Sequence, residues 1–246
     1  MKTGSMLRRH QSREGRTPHS LMQPDDPAAL EGRTRFPSTV VDADAAPRLL
    51  VSGHNNHKIG AEVQKGAWSG FPIFTLTLEE RATCPSSCRH WWDCFGNKMH
   101  FARRHRHGVA LENRLMREVA DLAARHPDGF VVRLHVLGDF YDLGYTALWA
   151  TMVDLVPALH VYGYTAWSPA SPIGRFITHA RFHARGRFAI RFSESPWPEW
   201  STRTHYEAPA DASDGIVCPA QLSKSECCST CGLCWSSPRR IVFLAH

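Results

Sequence analysis

The sequence predicts an α/β fold with a parallel sheet, because strand-like and helix-like segments alternate over its central half. A run rich in β-branched residues occupies 130–137, and further strand-like runs occupy 158–165 and 187–193. An apolar, β-prone run opens earlier, at Phe71. Alternation at this spacing is typical of βα units, in which the strands lie parallel and their carboxyl ends meet at one edge of the sheet.

The segments between these strands have the apolar spacing of helices. One helix face recurs at intervals of three and four residues and is formed by Leu111, Leu115, Val119 and Leu122. The turn at 126–129 ends that helix. A second helix face is formed by Tyr145, Leu148, Trp149, Met152 and Val156, and Pro157 ends it. A third, shorter helix is predicted over 172–185.

Length, composition and cysteine usage limit the class of protein. The 246 residues, 43% of them hydrophobic, suit one domain with its own core. No apolar run reaches the length of a membrane span, and the first twenty residues lack the apolar core of a secretion signal, so we expect a cytoplasmic protein. In a reducing compartment, eight cysteines in two groups indicate metal ligands in preference to disulfides.

Three regions are predicted along the chain. Residues 1–48 are expected to be a disordered basic tail and linker whose removal costs the core little, since they lack an apolar period. Residues 49–214 form the βα body, and 215–246 a cysteine-rich metal-binding segment. The first twenty residues hold five basic side chains against one acidic, so +4 of the net charge of +6 lies there and the body is nearly neutral.

A local basic cluster lies at 98–107. Such a run is usually a solvated helix face, and the alternative is contact with phosphate groups. The candidate contacts to nucleic acid are Lys98, Arg103, Arg104 and Arg106.

The first cysteine cluster follows the apolar run that opens at Phe71. Cys84, Cys88 and Cys94 have the spacing C-x3-C-x5-C. Closed structural zinc and iron–sulfur sites take four ligands, so three thiolates with one open position indicate a site that binds or activates something. The alternative is a structural zinc site in which His90 or His100 is the fourth ligand.

The second cysteine cluster lies near the C-terminus. Cys228, Cys231 and Cys234 share a C-x2-C-x2-C spacing, and Cys218 supplies a fourth thiol. Four thiolates form a closed site for zinc or for a [4Fe–4S] cluster, and the ligand types do not separate the two. Cys227 is then spare, as an alternative ligand or a free thiol.

Between the two clusters, a strand runs into the turn Gly138–Asp139. A glycine at a strand end lets a ligand approach the backbone closely. The carboxylate of Asp139 has two interpretations, a ligand contact or an N-cap of the following helix.

The segments TCPSSC, RLHVLGDFYD, YGYT, CPAQ and CSTCGLCW together resemble the phage gene product 88 family, over residues 54–246. That family is in turn similar to radical S-adenosylmethionine enzymes, which are partial, TIM-like βα barrels. The resemblance implies a partial (β/α) barrel in which Cys84, Cys88 and Cys94 hold a [4Fe–4S] cluster with one open iron. It also implies S-adenosylmethionine as the cofactor.

The same resemblance implies roles for residues at the strand ends. Gly138 and Asp139 take the place of the turn that holds the cofactor's amino group, and the pocket is lined by Tyr164, Thr165, Ser193 and Glu194. The chain departs from the radical-enzyme pattern twice, with C-x3-C-x5-C in place of C-x3-C-x2-C and Leu-Gly-Asp in place of Gly-Gly-Glu.

These observations lead to two alternative expectations for the function. The first is an iron–sulfur, radical S-adenosylmethionine-like protein of a phage or plasmid type, acting on a nucleic acid or a nucleotide. The second is a non-catalytic, zinc-stapled protein that binds nucleic acid or acts in replication, supported by the basic cluster and the two thiol sites.

Overall fold

The computed structural model describes residues 21–207, 209 and 213–245. The basic tail predicted over residues 1–20 lies outside this range. In chain order the described strands are β1 (Val40–Val41), β2 (Val51–Ser52), β3 (Ile73–Thr75), β4 (Arg104–His105), β5 (Phe130–Leu134), β6 (Leu159–Thr165), β7 (Phe188–Ser193), β8 (Ser201–His205), β9 (Ile216–Val217) and β10 (Ile241–Leu244). The described α-helices are α1 (Pro27–Leu30), α2 (Val109–Arg125), α3 (Leu143–Leu155), α4 (Pro172–His183), α5 (Cys228–Cys231) and α6 (Leu233–Ser236).

An eight-stranded sheet organises the molecule, with the order β2-β3-β5-β6-β7-β8-β10-β9. Every neighbouring pair in it is parallel except β2 and β3. The predicted parallel α/β sheet is therefore confirmed. The hydrogen-bond pairings describe an open sheet with β2 and β9 at its edges, and a barrel is not seen among the described strands.

The two faces of the sheet are covered by different parts of the chain. On one face, Val132, Val161 and Ile190 pack with apolar side chains of α2, α3 and α4. On the other face, alternate residues of the same strands pack against Trp68 and Trp235. Within this sheet, β3, β5, β6 and β7 follow one another in chain order, and α2, α3 and α4 between them pack on one face. The opposite face is covered by the cysteine-rich C-terminal segment.

The predicted helices form where their apolar spacing placed them. All four residues of the first predicted face are buried in α2. Asp142 caps α3, and its side chain accepts from the Tyr145 amide at 2.7 Å. Ser171 caps α4, in which a proline occupies the first turn. None of the described helices combines the length and the apolar character that crossing a bilayer requires.

Residues 21–48 differ from the disordered linker that was predicted for them. Ala28 and Ala29 of α1 are buried together with Met22 and pack against Trp91, and β1 pairs with β4. The segment buries small side chains and satisfies its backbone through contacts with distant loops, so it carries no apolar period for the sequence to reveal. Its removal would uncover part of the body, contrary to the expectation that it is dispensable.

Candidate functional site

The first cysteine loop, residues 84–94, lies at the carboxyl edge of the parallel sheet. The Leu78 amide donates to the Leu137 carbonyl at 3.0 Å, so the segment after β3 lies beside the segment after β5. The Thr83 hydroxyl accepts from the Asp139 amide at 3.2 Å and donates to the Glu79 carbonyl at 2.7 Å. The loop therefore begins against the Gly138–Asp139 turn.

The three thiols of this loop are close enough to act on one another electrostatically. Burial, followed by the charges of Asp139, Cys94 and Cys88, raises the pKa of Cys84 well above its usual value. Burial likewise raises the pKa of Cys88 to about 12 and that of Cys94 to about 11. These shifts favour the neutral thiol form of all three, and a cation bound beside them would favour the thiolates.

The thiols are neighbours without forming a ready-made metal site. All eight cysteines are free, and none is in a disulfide. Within the described part of the chain, no group of three or more His, Cys, Asp and Glu side chains has the arrangement of a metal centre.

Asp139 is almost fully buried, and its carboxylate links the segments that follow β5 and β6. One carboxylate oxygen accepts from the Phe140 amide at 2.7 Å and the other from the Ala166 amide at 2.6 Å. Burial raises the pKa of Asp139 to about 7. These two hydrogen bonds and one from the Thr165 hydroxyl lower the pKa, but burial outweighs them. The helix-cap interpretation of Asp139 is wrong, because Asp142 caps α3.

Gly138 is required by the packing of the protein itself. Its φ is +83°, and a Cβ atom there would lie 2.5 Å from the Thr83 hydroxyl oxygen and 2.6 Å from Leu78 Cβ. Any side chain would push the cysteine loop off the strand ends.

Glu194, after β7, holds the middle of the cysteine loop. It accepts from the Thr204 amide at 2.6 Å, and its carboxylate lies 3.4 Å from Arg89 and 3.5 Å from the His90 ring. Hydrogen bonds to Asp93 and then to Glu194 raise the pKa of His90 to about 9. Although burial opposes it, bonding to His90 and Thr204 lowers the pKa of Glu194.

The two histidines considered as a fourth zinc ligand are engaged elsewhere. The His90 ring lies 3.1 Å from Asp93 and 3.5 Å from Glu194, and these carboxylates raise its pKa, whereas a metal ligand needs a neutral ring nitrogen. His100 is exposed, and its ring packs on Phe36 at a centroid distance of 4.7 Å.

The remaining predicted pocket residues separate into two groups. Thr165 is buried beside Asp139, and Ser193 ends β7 next to Glu194, so both lie at the edge with the first cysteine loop. The Tyr164 hydroxyl instead donates to Cys234 Sγ at 2.9 Å, on the sheet face opposite α2–α4. The expectation that Tyr164 lines the same pocket as Asp139 is therefore corrected, because alternate residues of β6 face opposite sides.

The second cysteine cluster lies on that opposite face. α5 and α6 are separated by Gly232, whose φ is +76°, and this left-handed residue turns the chain between them. Burial and the charges of Cys234 and then Cys218 raise the pKa of Cys228 well above its usual value. Burial and then Cys234 raise the pKa of Cys218 to about 11. Trp235 stacks on Trp68 with their centroids 5.3 Å apart and covers this cluster.

Cys227 has a local role beside that cluster. It is the N-cap of α5, where its side chain and that of Thr230 form a reciprocal capping box. Its sulfur lies 3.1 Å from the Ser229 hydroxyl oxygen.

Comparison with known proteins identifies the family of this chain. A family model described as gene product 88 matches residues 49–237, which include β2–β9, α2–α6 and both cysteine clusters. The chain belongs to the gene product 88 family. No curated protein and no solved structure matches it significantly.

In this gene product 88 protein, a charged framework that the sequence did not predict anchors the first cysteine loop. Glu80 and Arg104 form a fully buried ion pair at 2.6 Å, and the Thr34 hydroxyl donates to Glu80 at 2.7 Å. Arg81 donates to the Trp91 carbonyl at 3.0 Å and to the Asn97 side chain at 2.5 Å. The only sign of this framework in the sequence is the run of three charged residues, Glu79, Glu80 and Arg81, between β3 and the first cysteine.

This framework changes the interpretation of the basic cluster at 98–107. The segment is not a helix, since it contains the end of a short 3-10 turn at Phe95–Lys98 and then β4. Arg104 is buried and is withdrawn as a nucleic-acid contact. Arg106 is exposed but pairs with Asp42 at 2.7 Å. Arg103 is exposed, and Lys98 is partly buried.

Proposed function

We propose that this gene product 88 protein is an iron–sulfur protein with radical S-adenosylmethionine-like chemistry, centred on Cys84, Cys88 and Cys94. One observation carries the proposal. A three-thiol loop follows the first of four consecutive parallel strands and lies against the Gly138–Asp139 turn that follows the second. Functional loops of such sheets gather at the carboxyl ends of the strands. A partial barrel is part of the proposal, since this winding is the one from which barrels are built.

The chemistry of the residues present fits the proposed group. Three partly buried thiols and a buried carboxylate stand together with their pKa values raised, which is the state that a bound cation relieves. Cys84, Cys88 and Cys94 would hold an iron–sulfur cluster, which would bind S-adenosylmethionine and, once reduced, supply the electron for its cleavage. The protein then supplies position and electrostatics.

Asp139 would hold the cofactor's amino group. Its carboxylate accepts from two backbone amides and from the Thr165 hydroxyl, which leaves about one of its roughly four acceptor positions unused. The two amide bonds fix its orientation. Thr165, Ser193 and Glu194 share this edge and would form the wall of the pocket.

A nucleic acid or a nucleotide suits the surroundings of the loop as a substrate. Trp92, Phe95 and Phe101 are exposed in or after the cysteine loop, and Arg103, two positions after Phe101, is also exposed. Exposed aromatic rings with nearby positive charge stack on bases without needing a particular sequence.

The alternative is a non-catalytic zinc-stapled nucleic-acid-binding protein. Within the described part of the chain, the burial of Arg104 and the pairing of Arg106 leave Arg103 as the exposed, unpaired arginine of the basic cluster for either function.

Anaerobic purification followed by metal and sulfide analysis tests the proposal. The reduced protein should contain iron and sulfide, and adding S-adenosylmethionine should change the electron paramagnetic resonance spectrum of one cluster. Cys84→Ala, Cys88→Ala and Cys94→Ala should each abolish this response and leave the second centre intact. Zinc at both clusters, or a reduced cluster indifferent to S-adenosylmethionine, would overturn the proposal.

A further inference from the structure

Arg191 is a fully buried cation whose charge no carboxylate balances. Its five N–H groups donate to five backbone carbonyls, those of Ser201, Leu233, Cys234, Ser237 and Arg239. Carbonyl dipoles satisfy the hydrogen bonds but carry no full negative charge. Among the described residues no Asp or Glu forms an ion pair with Arg191. A buried charge is costly unless an opposite charge accompanies it.

Arg133 is a second cation on the same face of the sheet. Its guanidinium carbon lies 4.3 Å from the ring centre of Tyr164 and 5.5 Å from that of Tyr162. Its one hydrogen bond among the described residues runs to the Leu134 carbonyl at 2.7 Å, and no described carboxylate forms an ion pair with it. Both cations reach the second cluster: Arg191 donates to the Cys234 carbonyl at 2.8 Å, and Arg133 lies against Tyr164, whose hydroxyl contacts Cys234 Sγ.

Two tyrosine hydroxyls are also directed at these thiols. The Tyr164 hydroxyl donates to Cys234 Sγ at 2.9 Å. The Tyr162 hydroxyl is buried with no hydrogen-bond partner of normal geometry within the described part of the chain, and it lies near the thiols of Cys228 and Cys234. A donor aimed at sulfur favours the thiolate over the thiol.

We infer that the second cysteine cluster holds an anionic metal–thiolate centre, with Arg133 and Arg191 as its countercharges and Tyr162 and Tyr164 as hydrogen-bond donors to its sulfurs. Four thiolates around Zn²⁺ or around an oxidised [4Fe–4S] core carry about two net negative charges, which two guanidinium groups match. Two disulfides or four neutral thiols would leave both cations unbalanced. The inference rests on the second metal centre alone and not on the chemistry proposed at Cys84–Cys94.

A tyrosine-to-phenylalanine comparison tests the sulfur contacts. The full-length protein would carry Cys84→Ala, Cys88→Ala and Cys94→Ala, so that zinc alone, titrated against a chromophoric chelator, reports the second cluster. Tyr164→Phe should weaken zinc binding about tenfold or more, the usual effect of losing a contact to a metal ligand. Tyr141→Phe is the matched control, because its hydroxyl donates to Glu112 instead of a thiol. Equal affinities in the two variants would overturn the role of Tyr164.

A cation-removal cycle tests the countercharge. Arg133→Met should lower the unfolding temperature of the zinc-loaded protein by more than that of the metal-free protein, because only the loaded cluster is anionic. Arg114→Met is the control. It removes an ion pair to Glu118 within α2 and a hydrogen bond to the Pro47 carbonyl, and it should lower the unfolding temperatures of the zinc-loaded and metal-free proteins equally. The inference fails if Arg133→Met shifts both forms equally, or if the second cluster binds neither zinc nor, after anaerobic addition, iron and sulfide. Zinc at this cluster with an indifferent first cluster would instead overturn only the proposed function.

Discussion

The two cysteine clusters use the same ligand type in opposite electrostatic surroundings. At the first, at the edge of the sheet, Glu80 and Glu194 are paired with cations, but Asp139 forms no ion pair among the described residues, and after burial its charge raises the pKa of Cys84. The second lies on a sheet face near Arg133 and Arg191 and contacts a tyrosine hydroxyl. A carboxylate without a cationic partner favours a bound group with positive charge, whereas buried guanidinium groups without carboxylate partners favour a closed, anionic centre. On this difference we propose a binding role for the first cluster and a structural role for the second.

The largest expected effect follows from removing a ligand of the second cluster. Cys234→Ser should make the protein insoluble or lower its unfolding temperature sharply, because the free energy of closing a four-thiolate site becomes folding free energy, about 10 kcal/mol or more. Cys227→Ser is the control and should be mild, since Ser also serves as an N-cap. Solubility, metal content and thermal unfolding measure the outcome. A Cys234→Ser variant with normal melting would show that this cluster does not hold the fold together.

The framework behind the first cluster should show the next largest effect. Glu80→Gln leaves Arg104 as an unpaired buried cation and should cost about 3–5 kcal/mol of unfolding free energy. Asp42→Asn breaks the exposed pair with Arg106 and should cost less than about 1 kcal/mol. Urea denaturation of both variants gives the comparison. Similar costs would mean that the buried pair does not anchor the loop.

The carboxylate at the first cluster also predicts a pH dependence. Because burial raises the pKa of Asp139 from 3.8 to about 7, its contribution to stability is fully present below about pH 4 and is lost as the pH rises through 7. In the metal-free protein this loss amounts to at most about 4 kcal/mol. Asp139→Asn should remove that part of the slope in chemical unfolding between pH 4 and 8. Parallel curves for the two proteins would contradict the raised pKa.

The smallest expected effect concerns the exposed basic residues near the first cluster. Arg103→Ala should weaken binding to a single-stranded oligonucleotide a few-fold and reduce the salt dependence by about one phosphate contact. Arg106→Ala should change binding less, because Asp42 already neutralises that side chain. Fluorescence anisotropy at several salt concentrations measures both variants. A larger loss of oligonucleotide affinity in Arg106→Ala than in Arg103→Ala would show that the contact surface is not the one proposed at the cysteine loop.

The sequence predicted the periodic parts of the fold and missed the parts held by contacts between distant residues. The helix face at Leu111, Leu115, Val119 and Leu122 and the strand at Phe188–Ser193 are local patterns, so a single pass along the chain reveals them. The segment 21–48 has no such pattern, because Ala28 and Ala29 are small and its polar contacts lie with residues far along the chain. The basic cluster misled for a related reason, since the buried partner of Arg104 is Glu80, 24 positions earlier.

By itself, the sequence determined the alternation of strands and helices, the two groups of thiols and the family of the chain. Those properties depend on spacing and residue type along the chain. Only the tertiary structure decided that Tyr164 faces the second cluster, that Asp139 joins two strand ends and that Arg191 is buried without a carboxylate partner among the described residues. Each of these depends on which face of a strand a side chain takes and on which distant segment covers it. Charge balance in a buried site is a property of three-dimensional neighbours, and residue order does not record it.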